Sequence, residues 1–260
     1  MNAIRDIVEF QGKVYCATPG GLFRYDPDTK EYTLYYKNHG LVSNDITCLG
    51  ATSKELFIGF REEGLWRMDP SNGSIEQILF PEYHIRTTAN PTGITLYDIY
   101  AKNDSVLYIG HENGVDMINI VTEELKTYSQ LGSEISENKP VDKVTIINGK
   151  LWASTSMGVA VADESDPNLE FPEKWKDYTY TIQNKLYGIT GVVYVGDDFD
   201  EYYFGTTTNG VLLLDKTTDT LVPTSSDKLA VSDIIPSNGE YFAATSTGLY
   251  SKKARLWWRV

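Results

Sequence analysis

The stretch Leu151-Trp152-Ala153-Ser154-Thr155-Ser156-Met157-Gly158-Val159-Ala160-Val161-Ala162-Asp163 decides the fold. It consists of two short apolar segments that are joined by a turn at Gly158 and closed by Asp163. Apolar segments on either side of a glycine turn are typical of two antiparallel strands. The stretch therefore predicts a β-hairpin.

Versions of this hairpin recur six times. The turn glycines are Gly21, Gly64, Gly114, Gly158, Gly210 and Gly248. Successive glycines lie about 40 to 50 residues apart, which is the spacing of propeller blades. An aromatic residue stands six or seven positions before each glycine: Tyr15, Phe57, Tyr108, Trp152, Tyr203 and Phe242. An Asp or Asn stands five positions after it in five copies: Asp26, Asp69, Asn119, Asp163 and Asp215.

Each repeated position has a physical reason. The turn is expected to need positive φ, which glycine adopts without steric cost. The aromatic residues favour a buried, pleated surface and are predicted to form core between blades. The Asp or Asn side chain is predicted to accept hydrogen bonds from the backbone of the next turn.

Four strands can be placed in each repeat, and helical patterns are almost absent. The sequence therefore predicts an all-β fold, a β-propeller of about six four-stranded blades. Residues 1–260 are expected to form one domain, with blades at about 3–36, 46–79, 94–128, 141–180, 189–222 and 231–260. A stacked solenoid is the alternative. No blade is shared between the ends of the chain, so either six blades close by side-chain packing or the chain is an excerpt of a larger propeller protein.

Composition excludes several functions. The 36 acidic and 23 basic residues give a net charge of −13, which disfavours nucleic acid as a partner. No apolar run approaches 18 residues, so direct membrane insertion is not expected. The start of the chain does not resemble a signal peptide. If a leader has been removed, the protein is expected in the periplasm or at the cell surface; otherwise it is expected in the cytoplasm. Cys16 and Cys48 are expected to be buried, reduced thiols.

One repeat carries a family resemblance. The segments are Gly40-Leu41-Val42-Ser43-Asn44-Asp45-Ile46, Leu56-Phe57-Ile58-Gly59 and Gly64-Leu65-Trp66-Arg67-Met68-Asp69. They resemble the two-component-regulator propeller repeat, a bacterial family found in periplasmic sensor regions of hybrid histidine kinases and in secretion-associated surface propellers. The resemblance implies carbohydrate sensing or a scaffolding role without chemistry in the propeller.

Long links between blades are predicted to gather on one face, together with the glycine turns. We call this the link face. The link from Phe80 to Gly93 is rich in aromatic, basic and amide side chains, which suit contact with sugars or proteins. The residues predicted to form the binding face are His39, Arg61, Tyr83, His84, Arg86, Asn90, His111 and Tyr187. A solvated loop that packs on its own scaffold is the alternative for the link.

Metal sites and catalysis have weaker support. His39, His84 and His111 lack the spacing of metal ligands, and Asp197 to Glu201 lacks the pattern of a calcium loop, so no metal or other cofactor is predicted. No catalytic motif occurs. The leading hypothesis is a non-catalytic binding module for a glycan, peptide or protein, within a larger polypeptide or a dimer. The alternative is a six-bladed hydrolase or lyase that uses channel carboxylates, such as Asp45 with Asp98 or Asp142, and a metal.

Overall fold

The computed structural model describes residues 4–69, 73–78, 94–135, 138–183, 185–195, 200–224, 229–237, 240–253 and 256–259. In this part of the chain, six four-stranded antiparallel sheets each follow sequence order. The helical elements described are two 3₁₀ turns, Lys37–His39 and Pro172–Lys174. The fold is an all-β propeller of six four-stranded blades, so the predicted fold class is confirmed.

The chain divides into two compact units, Met1–Thr127 and Tyr128–Val260. The first unit contains blades 1 to 3. The strands of blade 1 are β1 Asp6–Phe10, β2 Lys13–Thr18, β3 Gly21–Tyr25 and β4 Tyr32–Tyr35. Those of blade 2 are β5 Ile46–Ala51, β6 Leu56–Phe60, β7 Gly64–Met68 and β8 Ile75–Gln77. Those of blade 3 are β9 Leu96–Ala101, β10 Val106–His111, β11 Gly114–Asn119 and β12 Glu124–Tyr128.

The second unit contains blades 4 to 6. Blade 4 consists of β13 Val141–Ile147, β14 Lys150–Thr155, β15 Gly158–Asp163 and β16 Trp175–Tyr178. Blade 5 consists of β19 Ile189–Val195, β20 Glu201–Thr206, β21 Val211–Asp215 and β22 Thr220–Pro223. Blade 6 consists of β23 Val231–Ser237, β24 Glu240–Thr245, β25 Gly248–Lys253 and β26 Leu256–Arg259. That residues 1–260 form a single domain stays a prediction.

The link between blades 4 and 5 contains an element that sequence reasoning missed. Residues 183–188 were expected to belong to a link, but β17 Thr181–Ile182 pairs antiparallel with β18 Lys185–Leu186. The turn of this hairpin includes Gln183, whose φ is +50°. The two strands are too short to produce a recognisable alternation of apolar and polar residues.

The repeat glycines adopt the conformation that their position requires. All six have positive φ, for example +127° at Gly21 and +153° at Gly158. A Cβ atom at Gly21 would lie 2.4 Å from the carbonyl oxygen of Tyr35, and one at Gly158 would lie 2.3 Å from that of Tyr178. Glycine therefore satisfies both the backbone conformation and the close approach of the outer strand. The prediction for these turns is confirmed.

The repeated Asp or Asn organises the next turn, as predicted. Oδ1 of Asp26 accepts a hydrogen bond from the backbone N–H of Asp28 at 3.0 Å. Oδ1 of Asp215 accepts one from Thr217 at 2.8 Å, and Oδ1 of Asn119 accepts one from Val121 at 3.0 Å. These side chains satisfy backbone donors where the strand ends.

The core lies between neighbouring blades. A Cβ atom at Gly50 in blade 2 would lie 2.3 Å from the side chain of Ile99 in blade 3, so the two sheets approach closely there. The five repeat aromatics from Tyr15 to Tyr203 are buried, whereas Phe242 in blade 6 is only partly buried and departs from the prediction. Cys16 and Cys48 are buried and form no disulfide, as expected.

A β-bulge interrupts the first strand of five blades near its link-side end. The register shifts around one extra residue in each of these strands: Thr47, Tyr97, Asp142, Thr190 and Ser232. A bulge re-aims the side chain of the extra residue relative to the pleat. All five extra residues carry a polar group, and none was recognised as bulged from the sequence.

Candidate functional site

The link face of blade 2 carries an ionic cluster. Nε of Arg61 donates to Oδ2 of Asp45 at 2.9 Å, and the backbone N–H of Arg61 donates to the carbonyl of Asp45 at 3.1 Å. Arg5 pairs with the other carboxylate oxygen of Asp45 and also donates to the carbonyl of Ile46 at 2.9 Å. Asp45 therefore holds two guanidinium groups at the start of β5.

The cluster has a defined charge state. Partial burial raises the pKa of Asp45, but the hydrogen bonds and charges of Arg5 and Arg61 outweigh it, so the pKa of this carboxyl is lowered. One carboxylate thus faces two guanidinium groups, and the group as a whole is cationic on an acidic protein. The Arg61 side chain remains 49% exposed, and among the described residues its terminal nitrogens donate to no protein acceptor.

His39 lies in the same link, at the end of the 3₁₀ turn Lys37–His39. Its Nδ1 atom accepts a hydrogen bond from the backbone N–H of Tyr36 at 3.1 Å, and the two rings lie 5.7 Å apart. Asn44 accepts a hydrogen bond from the backbone of Lys37 at 3.0 Å, which ties the turn to the end of the link. His39 is exposed, and its ring is positioned by the loop.

Tyr187 belongs to the β17–β18 hairpin region in the second unit. Its ring lies 6.0 Å from that of Tyr180, and Nζ of Lys185 lies 5.6 Å from its centroid. The backbone N–H of Tyr187 donates to the carbonyl of Tyr180 at 3.0 Å. Two partly buried aromatic rings beside a cation form a rigid contact surface, which is a common property of binding sites.

His111 does not lie on an open surface. It is 2% exposed, and Nδ1 accepts a hydrogen bond from the backbone N–H of Asn113 at 3.2 Å. Its Nε2 atom lies 3.3 Å from Oδ2 of Asp116, which is also buried. His111 is therefore buried beside Asp116, and its membership in the binding face stays a prediction.

A comparison between blades explains the position of His111. The last residue of the second strand is threonine in four blades: Thr18, Thr155, Thr206 and Thr245. Each hydroxyl donates to the carbonyl of the turn glycine, at 2.7 to 3.0 Å, and accepts a backbone N–H from the same turn. His111 replaces this threonine in blade 3 and accepts the equivalent N–H. The repeated threonine was a sequence signal that could have identified this structural role.

Four predicted residues, Tyr83, His84, Arg86 and Asn90, lie outside the described residues. The histidine hypothesis for a metal includes His84 and so cannot be followed further. Within the described ranges, His, Cys, Asp and Glu side chains form no group of three that could hold a metal ion. Of the acidic segment 197–201, residues 197–199 lie outside the described residues. Asp200 pairs with Lys216 and accepts a hydrogen bond from the Tyr194 hydroxyl at 2.8 Å.

The candidate channel carboxylates differ in their surroundings. Asp45 is held ionised by two arginines, whereas Asp98 is buried in β9. Asp142, the bulged residue of β13, is exposed to solvent. These three carboxyls therefore do not share one environment.

A charged cavity lies at the other end of blade 2. Its volume is about 340 Å³, and Arg67 pairs there with Glu55 at 3.1 Å and with Glu76. Lys54 and Asp69 complete the lining. Its cations are neutralised by neighbouring acids, unlike the ionic cluster on the link face.

The strand order and the repeated turns define a β-propeller of four-stranded blades. A family model of the "TSS9, PorZ, N-terminal beta-propeller domain" matches residues 14–176, more than half of the chain. The chain belongs to this family. A comparison with curated protein sequences gives no match.

No described helix is long and apolar enough to cross a membrane.

Solved structures share this fold. The extracellular domain of BT3049 from B. thetaiotaomicron, assigned as a hybrid two-component system, matches with a TM-score of 0.69 at 21% identity, over 94% of this chain and 32% of that one. PorZ of Porphyromonas gingivalis is described as an essential surface component of the type-IX secretion system. It matches with a TM-score of 0.69 at 16% identity, over 98% of this chain and 32% of that one. The extracellular domain of BT4673 from B. thetaiotaomicron, assigned as a one-component system, matches with a TM-score of 0.74 at 13% identity, over 99% of this chain and 33% of that one.

The predicted resemblance to two-component-regulator and secretion-associated propellers is confirmed. The identities are low, so these structures establish the fold alone. The chain spans about a third of the length of each.

Proposed function

We propose that this chain is a non-catalytic binding module of a bacterial surface or periplasmic protein, and that its link face recognises a glycan, peptide or protein. Family membership supports the surface role, since PorZ is described as a surface component of a secretion system. The short span relative to the solved structures supports its being one part of a larger polypeptide. The ligand class rests on the chemistry of the link face.

The observation that carries the proposal is the ionic cluster of Arg5, Asp45 and Arg61. Asp45 fixes the orientation of Arg61 through Nε, while the terminal nitrogens donate to no protein acceptor among the described residues. A guanidinium group that is already oriented loses less conformational freedom when it binds an oxygen-rich group. Carboxylates of acidic sugars or peptides are suitable acceptors.

His39 extends this surface within the first unit. Its ring is held by the backbone N–H of Tyr36, and the pair offers aromatic area next to an exposed polar edge. In the second unit, Tyr187 and Tyr180 offer aromatic rings beside the cation of Lys185. Aromatic rings stack on sugars and amino-acid side chains with little loss of entropy.

The test compares two arginines of blade 2. Arg61 and Arg67 are both ion-paired, with side chains 49% and 40% exposed, but Arg67 lies in the charged cavity away from the link face. Wild-type protein, R61A and R67A would be applied to an array of neutral and uronic-acid-containing oligosaccharides and to an array of acidic and neutral peptides. We expect R61A to lose about tenfold in affinity for any ligand found, and R67A to bind like wild type.

Retention of every interaction by R61A, or an equal loss in R67A, would contradict the assignment of the site. His39→Ala gives a second measure on the same face, with a smaller expected loss because its ring makes no ion pair in the described structure. The enzyme alternative predicts a different result: thermal stability should rise with calcium or zinc and fall with a chelator.

A further inference from the structure

Arg24 of blade 1 carries a positive charge that no carboxylate balances. Among the described residues its guanidinium group forms no ion pair, whereas those of Arg5, Arg61 and Arg67 each contact an aspartate or a glutamate. Arg24 is only partly exposed, and its Nε atom is buried without a hydrogen-bond acceptor. A charge that is removed from water is normally paired, because its desolvation is costly. Arg24 is therefore an exception that needs a physical explanation.

The pairing register places Arg24 on the face of blade 1 that packs against blade 2. Arg24 stands opposite Tyr15 on β2 and opposite Thr33 on β4. Tyr15 belongs to a hydrophobic cluster that includes Leu49 and Ile58 of blade 2. Residues directly opposite one another on paired strands share a face of the sheet, so Arg24 lies on the same face. We call the row of Tyr15, Arg24 and Thr33 the arginine cleft.

The facing side of blade 2 supplies no counter-charge. The register gives the residues of β6, β7 and β8 that share a face with Ile58, and none of them is acidic: Leu56, Phe60, Trp66, Met68, Ile75 and Gln77. Most of these side chains pack in the cluster that contains Tyr15. The arginine cleft is thus bordered by an apolar surface on the side of blade 2.

The neighbouring acids of blade 1 are engaged elsewhere. Asp6 lies on the same face, and its Oδ2 atom accepts a hydrogen bond from the backbone N–H of Leu49 at 2.8 Å. Asp26 follows Arg24 by two residues, and its Oδ2 atom pairs with Nζ of Lys13 at 2.6 Å. Neither carboxylate forms an ion pair with Arg24, so the charge of the guanidinium group remains uncompensated in the described structure.

The two hydroxyls of the cleft do not neutralise Arg24 either. Burial and the neighbouring Tyr35 raise the pKa of Tyr15, although Arg24 acts in the opposite direction, so the phenol stays protonated at neutral pH. The hydroxyl of Thr33 accepts a hydrogen bond from Nη2 of Arg24 at 3.3 Å. A protonated phenol and an alcohol each have a hydrogen to donate. The cleft therefore combines one cation with two neutral hydroxyl donors.

We propose that the arginine cleft binds the carboxylate group of a small ligand. A carboxylate accepts hydrogen bonds at two oxygens, which suits the planar donor fork of a guanidinium group with hydroxyls beside it. One negative charge balances Arg24, whereas a dianion would leave an excess on a protein whose net charge is already −13. Arg24 and Thr33 are partly exposed, so the cleft is open to solvent. This site uses none of the residues of the ionic cluster on the link face and is independent of the function proposed there.

Thermal unfolding in sodium acetate, compared with sodium chloride at equal ionic strength, tests the proposal. Arg24→Met removes the charge and keeps an unbranched apolar stem. Arg67→Met is the matched control, since Arg67 also lies on a third strand but pairs with Glu55 and Glu76. We expect the melting temperature of wild type and R67M to rise by about 2 to 4 °C once acetate exceeds its dissociation constant about tenfold, and that of R24M to stay unchanged.

Nuclear magnetic resonance locates the binding directly. The Nε–H signal of Arg24 can be assigned by its absence from R24M, and acetate should shift this signal in wild type while leaving that of Arg67 in place. A wild type that does not respond to acetate, or an equal response in R24M, would overturn the site.

Sulfate separates the two kinds of oxyanion. A rise in melting temperature with sulfate but not with acetate, absent from R24M, would overturn the choice of a carboxylate. Should R24M fail to fold, Arg24→Lys replaces it. Lysine keeps the charge but lacks the planar fork, so we expect acetate to bind at least about tenfold more weakly to this variant. Equal acetate affinity in R24K and wild type would contradict the role assigned to the guanidinium group.

Discussion

Blade 6 and the blades that precede it present the same repeat positions in different surroundings. Leu65 and Leu249 both follow the turn glycine, yet Leu65 is 1% exposed and Leu249 is 43% exposed. Phe57 is fully buried and Phe242 only partly. The comparison teaches that a repeat motif specifies the strand, whereas a neighbouring sheet decides whether the side chains of that strand are buried.

The largest expected difference concerns the leucine after the turn. Leu65→Ala removes a buried side chain from the cluster between blades 2 and 3 and should lower the free energy of unfolding by about 2 to 5 kcal/mol. Leu249→Ala removes a side chain that is already partly in water and should cost less than about 1 kcal/mol. Denaturant unfolding measures both losses; equal losses would break the comparison.

The turn threonine offers a smaller contrast. Thr155 is 0% exposed, and its hydroxyl donates to Gly158 at 3.0 Å and accepts from Met157 at 3.1 Å. Thr155→Val removes both of these hydrogen bonds at a buried position, so unfolding should become easier by about 1 to 3 kcal/mol.

Thr245→Val is the matched control in blade 6. The same bond, from Thr245 to Gly248 at 2.7 Å, is solvent-exposed, so water can replace it and the loss should stay below about 1 kcal/mol. Thermal unfolding of the two variants separates the effects. A greater loss in the exposed blade than in the buried one would contradict the role of burial.

The smallest expected effect is electrostatic and depends on pH. A hydrogen bond from Lys13 holds the pKa of Asp26 below its usual range, and backbone N–H groups, that of Thr217 first, do the same for Asp215. Because the folded pKa lies below the unfolded value of about 3.9, the stabilisation is present above that pH and is lost as pH falls through the folded pKa.

Melting temperature should therefore fall between about pH 4 and pH 2, and Asp26→Asn and Asp215→Asn together should flatten the decline. Asn119 shows that the amide can make the same turn bonds without a charge, at 3.0 and 3.1 Å. An unchanged pH profile in the double variant would show that these carboxylates do not contribute to acid sensitivity.

Much of the fold was predictable from the sequence because its signals are local. A turn that needs positive φ selects glycine, as at Gly21 and Gly158, and a strand end with free N–H groups selects Asp or Asn, as at Asp26. The β17–β18 hairpin was missed because two-residue strands carry no periodicity. The bulges at Asp142 and its counterparts were missed because one extra residue leaves the apolar pattern almost intact.

The candidate site was less predictable. Arg61 could be placed on the link face from its position in a hairpin turn, but its contact with Asp45 and the second arginine, Arg5, could not. His111 had the chemistry of a binding residue, yet it is buried beside Asp116 and takes the place of a turn threonine. Side-chain chemistry is visible in a sequence, whereas exposure depends on the sheets on either side.

By itself the sequence determined the strand order, the turn glycines and the repeat aromatics. Those features follow from backbone conformation and from the two-residue period of a strand, both of which act over a few neighbouring residues. Only the tertiary structure decided that Leu249, Ile235 and Ile7 remain in contact with water while their counterparts are buried. Burial is a relation between sheets that are distant in sequence, so identical motifs acquire different roles.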